Sequence, residues 1–445
     1  MSGREGGGGR YEGQARVPAG PGAGARAAAG RRVRAWRAGL GRALGQVTGR
    51  ALGPYQSAVV RIGFSATWLA FLLRELPHRD ELYGPDSPWG PDLAGRLLAS
   101  NHAFTVLPWF GGRLWFELVY ALAALSAALL LLGWRTRTAS VLFMIGVLSL
   151  QNRSVFMGDG GDNVVHLMAV YLVFTRCGQV WSLDARRRAR GGRDRAGPPL
   201  WAVLGLVLAL ACLGGRLTGG WSLALWGLWS ALGVWWLLER RAARPAAGFH
   251  VRQLRALADV VGNAVHNAGL LVVMGEACLI YATAGWYKIQ GSRWQDGTAV
   301  HYPLRLEYFS PWPALSEALA AHGTLVALLT YGTVLVQVAF PFALFNRRVK
   351  NVLLAGMMAE HVGIAVILGL PFFSLAMIAA DAVFLPTGFL RGAGGLVGGV
   401  LGRLTARRRG VPGAGAGAAG AVALPGPRAA EPGEGAGRSP VGFRP

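Results

Sequence analysis

AGLLVVMGEACLIYATAGWY, residues 268–287, is the segment from which the architecture of this chain can be inferred. Its 20 residues are almost all apolar, and a helix of that length crosses a hydrocarbon core about 30 Å thick. Comparable segments recur along the 445 residues, of which 53% are hydrophobic and 15% charged, whereas soluble domains carry about 25% charged residues. The sequence therefore predicts an all-α fold, a polytopic transmembrane helical bundle. The alternative, a large soluble core, rarely needs apolar segments this long.

The same length rule, combined with flanking charge, predicts about ten spans. They cover 56–76, 114–134, 139–150, 164–181, 200–213, 221–238, 268–287 and 323–345, and two more fill 352–390 with a break near Pro371. We expect a transmembrane domain over 51–391. The flanking segments 1–50, rich in Gly, Ala and Arg, and 392–445, rich in Gly, Ala and Pro, are predicted to be disordered tails.

The connections between these spans predict the orientation of the bundle. The arginine-rich connections are 135–138, 184–199, 239–267 and 346–351. The connections that hold most of the acidic residues outside the tails are 77–113, 151–163 and 288–322. Because cytoplasmic loops carry the excess of basic residues, we expect a multi-pass protein of the cell membrane with both termini cytoplasmic.

Charge and cysteine content exclude two classes of partner. The net charge is +23, but the arginines lie beside apolar segments and in the tails, and no folded basic module with interleaved aromatic residues is present. We therefore expect membrane lipid and no nucleic acid as a partner. The three cysteines, Cys177, Cys212 and Cys278, have no metal-ligand spacing, so no metal site is predicted.

Lysine usage singles out one side chain. Of the 45 basic residues only Lys288 and Lys350 are lysine. Lys350 lies in an arginine-rich connection and is explained by topology. Lys288 ends an apolar span beside Trp286 and Trp294, and a desolvated lysine, unlike an arginine, can release its proton. We expect proton chemistry at Lys288; the alternative is a lysine that extends to the membrane interface.

Two further groups of polar residues are candidates for a substrate path. QNRSVFMGDGGDNVVH, residues 151–166, places Asn152, Arg153 and Asp162 on the same predicted side as Lys288; the alternative is a tight turn with helix capping. The second group consists of Glu360, His361 and Asp381, which are costly inside apolar spans and are expected to face the bundle interior. Its alternative is a hydrogen bond between helices. His301 lies in the aromatic connection after Lys288, where an exposed loop histidine is the alternative.

Three segments resemble a known family, the HTTM (horizontally transferred transmembrane) domain family, which includes the membrane part of vitamin K-dependent gamma-glutamyl carboxylase. The first is LIYATAGWYKIQGSRWQDGTAVHYPL, residues 279–304, with Tyr281, Ala284, Gly285, Lys288, Trp294 and Gly297. The second, residues 151–185, matches at Asn152, Gly161, Asp162 and Ser182-Leu183-Asp184, and the third, residues 360–386, at His361. Together the resemblance covers about 50–392.

The resemblance implies a reaction. It implies that Lys288 is the base that deprotonates a quinol, with oxygen and carbon dioxide as co-substrates and a glutamate of an exported peptide or protein as the acceptor. It implies a site on the extracytoplasmic side. Together, the polar segments and the resemblance give the expected substrate or quinone contacts: Asn152, Arg153, Asp162, Tyr281, Trp294, His301 and His361. The quinol would be vitamin K hydroquinone or, given the Arg, Ala and Gly bias of the chain, menaquinol. Arg153 departs from the histidine of the carboxylase and cannot replace a neutral imidazole as a hydrogen-bond partner.

Two other functions are consistent with the sequence. One is a relative without carboxylase chemistry, a membrane factor that matures an exported peptide, as in the sporulation-delaying-protein B group. The other is a transporter or binding protein whose ionisable residues form a substrate path. A transporter is expected to show inverted repeats with paired broken helices, and no internal repeat is visible here.

Overall fold

The computed structural model describes residues 21–154, 158–191, 196–217 and 219–408, in which the regular secondary structure is helical and no strand occurs. Nine helices precede residue 214: α1 Pro21–Gly49, α2 Pro54–Glu75, α3 Arg79–Tyr83, α4 Pro91–Asn101, α5 Arg113–Leu132, α6 Thr136–Arg153, α7 Gly160–Val173, α8 Leu183–Ala189 and α9 Gly197–Leu213. Nine follow in the described part of the chain: α10 Gly219–Ala242, α11 Phe249–Gln290, α12 Ser292–Gln295, α13 His301–Arg305, α14 Pro313–Ala321, α15 Gly323–Ala343, α16 Arg347–Ile367, α17 Pro371–Asp381 and α18 Thr387–Arg408. The all-α prediction is confirmed.

Six helices among the described residues are long and apolar enough to cross a membrane. They are α2 with its continuation to Tyr83, α5, α10, α11, α15 and α16, and a seventh is obtained if α17, its extension to Phe384 and the start of α18 are one bent span. These helices are compatible with a multi-pass membrane protein. Four predicted spans fall on helices outside this set of six: 139–150 on α6, 164–181 on α7, 200–213 on α9, and the last span on α17. The count of ten therefore stays a prediction.

A buried arginine connects several of these helices. Arg61 lies in the middle of α2 and is fully buried. Its guanidinium donates to the carbonyls of Leu130 and Leu131 at the end of α5, and to those of Cys177 and Trp181 in the connection before α8. The last carbonyls of a helix have no partner within it, and Arg61 supplies donors to two carbonyls at the end of α5 and to two in the connection before α8.

Helix α1 differs from the predicted disordered tail. Residues 21–49, expected to be disordered, form a helix that packs against α11. Its C-terminal carbonyls are held by two side chains of α11: Asn263 donates to Thr48 O at 2.9 Å, and Asn267 donates to Val47 O at 2.7 Å. Composition alone missed these bonds because their donors lie more than 200 residues away. The tail residues 1–20 and 409–445 lie outside the described residues.

Helix α11 is longer than a membrane span. Its 42 residues extend over about 63 Å at 1.5 Å per residue, and they include much of the predicted cytoplasmic connection 239–267. The side chains that hold α1 lie in this first half of the helix, and the lysine lies at its opposite end.

The chain divides into two compact units, Met1–Gly392 and Ala393–Pro445. In the second unit the described residues 393–408 continue α18. Every side chain discussed below belongs to the first unit.

Candidate functional site

Lys288 lies in the last turn of α11, where its half-buried side chain turns toward α15. Its Nζ donates to Gln337 Oε1 at 2.7 Å. The ring of Trp294, which follows in α12, lies with its centroid 5.1 Å from the same Nζ. The amine is therefore held between an amide oxygen and an aromatic face, an environment that stabilises a cation.

Gln337 connects Lys288 to a carboxylate. The Gln337 amide is 5% exposed, and its Nε2 donates to Glu360 Oε1 on α16 at 2.7 Å. An amide accepts through oxygen and donates through nitrogen, so Gln337 faces the ammonium with its oxygen and the carboxylate with its nitrogen. We call Lys288, Gln337 and Glu360 the lysine relay.

A second polar group adjoins the lysine relay. The Tyr281 hydroxyl donates to Asp381 Oδ2 at 3.0 Å and lies 3.0 Å from His361 Nε2. Because the hydroxyl has one proton, which goes to Asp381, His361 Nε2 donates in the other bond. All three side chains are at most 2% exposed. We call Tyr281, His361 and Asp381 the tyrosine triad.

The tyrosine triad contains two buried atoms that need a donor. Asp381 Oδ1 and His361 Nδ1 have no hydrogen-bond partner among the described residues. In a neutral imidazole with its proton on Nε2, Nδ1 is an acceptor, as is the carboxylate oxygen. Buried polar atoms are nearly always satisfied in native structures. A pair of buried acceptors is thus a place where a hydroxyl, a water or a transferred proton can bind.

Helix packing brings the two groups together. Gly285 on α11 faces Val338 on α15 so closely that a Cβ at position 285 would lie 2.7 Å from Val338 Cγ2. The group that approaches Gly285 is thus a neighbouring helix. Glu360 and His361 are consecutive on α16, so the lysine relay and the tyrosine triad share that helix. Phe340 and Phe373 pack on the triad, with ring centroids 6.0 Å from Tyr281 and 5.6 Å from His361.

Asp381 lies at an interruption between two helices. Helix α17 ends at Asp381, and α18 begins only at Thr387. The carbonyls freed by the break accept bonds from side chains: Gln56 Nε2 donates to Leu385 O at 2.8 Å, and Lys350 Nζ donates to Phe384 O. Backbone groups of a broken helix require such partners in an apolar environment. Lys350 thus has a structural contact that topology alone did not predict.

Two residues of the 151–166 motif, Asn152 and Arg153, belong to neither the lysine relay nor the tyrosine triad. Asn152 Nδ2 donates to Phe104 O at 2.8 Å. Arg153 donates to Trp89 O at 2.8 Å and to Gly84 O at 3.1 Å. No hydrogen bond in the described chain joins either side chain to the lysine relay. Their predicted substrate contacts stay predictions. The observed contacts of Arg153 hold the connection between α3 and α4, and that of Asn152 holds the segment after α4. Residues 155–157 of the motif lie outside the described residues.

Asp162 caps a helix. Asp159 Oδ1 accepts from the amides of Gly161 and Asp162, and Asp162 Oδ2 accepts from the amide of Asp159. This capping box at the start of α7 matches the alternative given for the motif. Burial, against the opposing effect of the Asp159 amide, raises the pKa of the Asp162 carboxyl to about 6. His301 belongs to neither the lysine relay nor the tyrosine triad. Its ring centroid lies 5.9 Å from that of Tyr302.

Of the predicted site residues, the structure brings together Lys288 with Trp294, and Tyr281 with His361. Gln337, which connects Lys288 to Glu360, was absent from the sequence-based site. The sequence does distinguish Gln337, because it is the one amide side chain in GTLVALLTYGTVLVQVAFPFA, residues 323–343. Glu360 and Asp381 had been noted as intramembrane acids, but their partners could not be inferred without the fold.

Among the described residues, no group of three His, Cys, Asp or Glu side chains is arranged to hold a metal ion. No family model, no curated protein and no solved structure matches this chain.

Proposed function

We propose that this chain is an integral membrane enzyme that oxidises a quinol, with Lys288 as the base. The observation that carries the proposal is the lysine relay: one of only two lysines in the chain is hydrogen-bonded through Gln337 to the half-buried carboxylate of Glu360. The resemblance to the carboxylase family supplies the choice of a quinol. It extends the proposal to oxygen and carbon dioxide as co-substrates and to an exported peptide or protein as acceptor.

The residues around Lys288 fit an aromatic, lipid-soluble ligand. Trp286 and Tyr287 are 63% and 74% exposed on the outer face of α11, where a molecule dissolved in the bilayer would meet them. Trp294 adds a third ring beside the Lys288 amine. The unpartnered acceptors of the tyrosine triad support a ligand with hydroxyl donors. When bound, a quinol supplies two electrons and two protons.

Each member of the lysine relay has a separate task in the proposed reaction. Lys288 accepts a proton from the ligand hydroxyl. Glu360 balances the positive charge that this uptake creates, and Gln337 fixes the distance between the two charged groups. Trp294 covers one side of the amine, which reduces its access to water. Positioned bases of this kind contribute about 100-fold to 10,000-fold to a rate.

We propose a ten-span topology for the same chain, with both termini cytoplasmic and the site on the extracytoplasmic side. Helices α6, α7, α9 and α17, added to the six long apolar helices, give this number. The alternation of arginine-rich and acidic connections supports the orientation. Fluorescent-protein fusions at each terminus test it, because such fusions fluoresce only on the cytoplasmic side.

The test of the enzymatic proposal is quinol oxidation by the full chain in lipid nanodiscs, with menaquinol, oxygen and bicarbonate. The variants are Lys288→Ala and Lys288→Arg, and the matched control is Lys350→Arg, which changes the other lysine and keeps a donor for Phe384 O. We expect both Lys288 variants to lose at least about 100-fold in rate and the control to retain wild-type activity.

The alternatives predict different results. Equal, low turnover by all variants that are folded and bind quinone would contradict the enzymatic proposal and favour a membrane factor for peptide maturation. The break between α17 and α18 favours a second candidate, a proton or ion pathway, because broken helices line such pathways. Lys288-dependent proton flux into proteoliposomes without quinol oxidation would support it.

A further inference from the structure

A cavity of about 320 Å³ lies apart from the lysine relay. It is bounded by the C-terminal half of α2, the end of α3, the start of α7, the connection between α16 and α17 with the first turn of α17, and Tyr308. Its volume is at the lower end of the range for small-molecule sites. Six aromatic side chains line it: Trp68, Phe71, Tyr83, Tyr308, Phe372 and Phe373.

The polar side chains of the cavity leave it negatively charged. Three carboxylates, Glu75, Asp159 and Asp162, face one guanidinium, Arg74. Arg74 Nε lies 3.2 Å from Glu75 Oε1, so these two charges balance. Within the described ranges, no basic side chain forms an ion pair with Asp159 or Asp162. Burial raises the pKa of Asp162 to about 6, the response of a carboxyl that lacks a nearby cation.

Trp68 presents a donor without an acceptor. The side chain is 1% exposed and lines the cavity, and its Nε1 has no hydrogen-bond partner among the described residues. An indole can only donate, so this N–H needs an oxygen. The ring is stacked on Phe71 with centroids 5.4 Å apart, which holds the donor in one position. A buried donor of this kind indicates a ligand with an acceptor.

We propose that the cavity binds a small aromatic amine in its protonated form, with a carbonyl oxygen next to the amine. The ammonium pairs with the Asp159 and Asp162 carboxylates, and aromatic faces add a cation–π attraction. The carbonyl accepts from Trp68 Nε1, and the ligand ring packs among the aromatic walls. This site is independent of the reaction proposed at Lys288.

The test is isothermal titration calorimetry on the full chain in nanodiscs, with phenylalaninamide as the probe. N-acetylphenylalaninamide keeps the ring and carbonyl but has no charge. We expect wild type to bind the charged probe at least about tenfold more tightly, the usual value of a charge-assisted hydrogen bond. Equal affinity for the two probes, or no saturable binding of either, would overturn the proposal without any variant.

Two substitutions locate the binding. Asp162→Asn keeps an acceptor for the Asp159 amide and removes the charge, and Trp68→Phe removes the donor and keeps the stacked ring. We expect affinity for phenylalaninamide to fall about tenfold and about threefold, respectively. Asp92→Asn, on the exposed surface of α4, is the matched control and should bind as wild type does. Affinities of folded Asp162→Asn and Trp68→Phe within twofold of wild type would place the probe elsewhere and overturn the assignment.

Discussion

At the scale of single residues, Lys288 gains its properties from what it touches. The sequence singled it out because the chain otherwise uses arginine, and the structure adds the partner, Gln337, at 2.7 Å. A lysine that only extended to the membrane interface would not need an amide connected to a half-buried carboxylate. The contact with Gln337 therefore supports the proposal that Lys288 acts as a base.

Gln337→Leu should disconnect Lys288 from Glu360 while keeping the approximate volume of the side chain. We expect the rate of quinol oxidation to fall by about tenfold or more, because hydrogen bonds through Gln337 no longer link the Lys288 amine to the Glu360 carboxylate. Gln290→Leu, an exposed glutamine at the end of α11, is the control. An unchanged rate in folded Gln337→Leu would show that Lys288 acts without its relay.

Asp162 predicts a pH dependence of stability. Its folded-state pKa of about 6 lies above the ordinary value of 3.8, so the folded state retains the proton at a pH where the unfolded state has lost it. The contribution of this group to stability is therefore present below about pH 4 and is lost as pH rises through about 6. At 1.36 kcal/mol per pKa unit the loss is at most about 3 kcal/mol.

Asp162→Asn removes this dependence and keeps the acceptor of the capping box. The measurement is the free energy of unfolding of both proteins in detergent between pH 4 and 7. We expect the free energy of unfolding of the variant to increase relative to that of wild type as the pH rises. Parallel pH profiles of the two proteins would contradict the assignment.

Single residues also show which features of the site the sequence could predict and which it could not. The interior placement of His361 and Asp381 could be anticipated, since ionisable groups are costly in apolar spans. Their partners could not, because Tyr281 and Asp381 are separated by 100 residues along the chain. Periodicity and length carry no information on which helices become neighbours.

At the scale of helices, contact between α11 and α15 depends on a glycine. A Cβ at Gly285 would lie 2.7 Å from Val338 Cγ2, whereas one at Gly275 on the same helix meets nothing within 4 Å. Gly285→Ala should therefore lower stability by about 1–3 kcal/mol through overpacking. Gly275→Ala should be neutral or stabilising, because alanine favours a helix.

The measurement for these two variants is the thermal unfolding midpoint in detergent, with quinol oxidation as a second readout. We expect Gly285→Ala to lose activity as well, since the separation of α11 and α15 sets the distance from Lys288 to Gln337. Equal midpoints for the two variants would show that the glycine contact does not hold the helices together.

Helix positions were easier to predict than their tertiary roles. Span 323–345 corresponds to α15 at Gly323–Ala343, and the predicted break near Pro371 is the start of α17. The prediction differed most at α1, where alanine-rich composition suggested disorder. Asn263 and Asn267 bind the end of that helix, and no local property of residues 21–49 reveals such distant donors.

At the scale of the whole molecule, apolar helices surround two adjoining polar groups, and a separate charged cavity lies among loops and helix ends. Length and charge were sufficient to predict an all-α, multi-pass class, because a bilayer demands apolar segments of defined length. Neither quantity predicts the cavity, whose walls come from α2, α7 and two connections. The proposed enzyme thus has its base where α11 meets α15, and the proposed amine site has a different chemistry and lies elsewhere.

The most direct test of Lys288 as a chemical base is rescue of Lys288→Ala by small amines. The substitution leaves space beside Gln337 and Trp294, and methylamine or ethylamine can supply the missing base there. We predict that quinol oxidation by Lys288→Ala rises with amine concentration and saturates, while wild type and Lys350→Arg do not respond. A folded, quinone-binding Lys288→Ala that no amine rescues, or that keeps wild-type activity without amine, would contradict the assignment of Lys288 as the base.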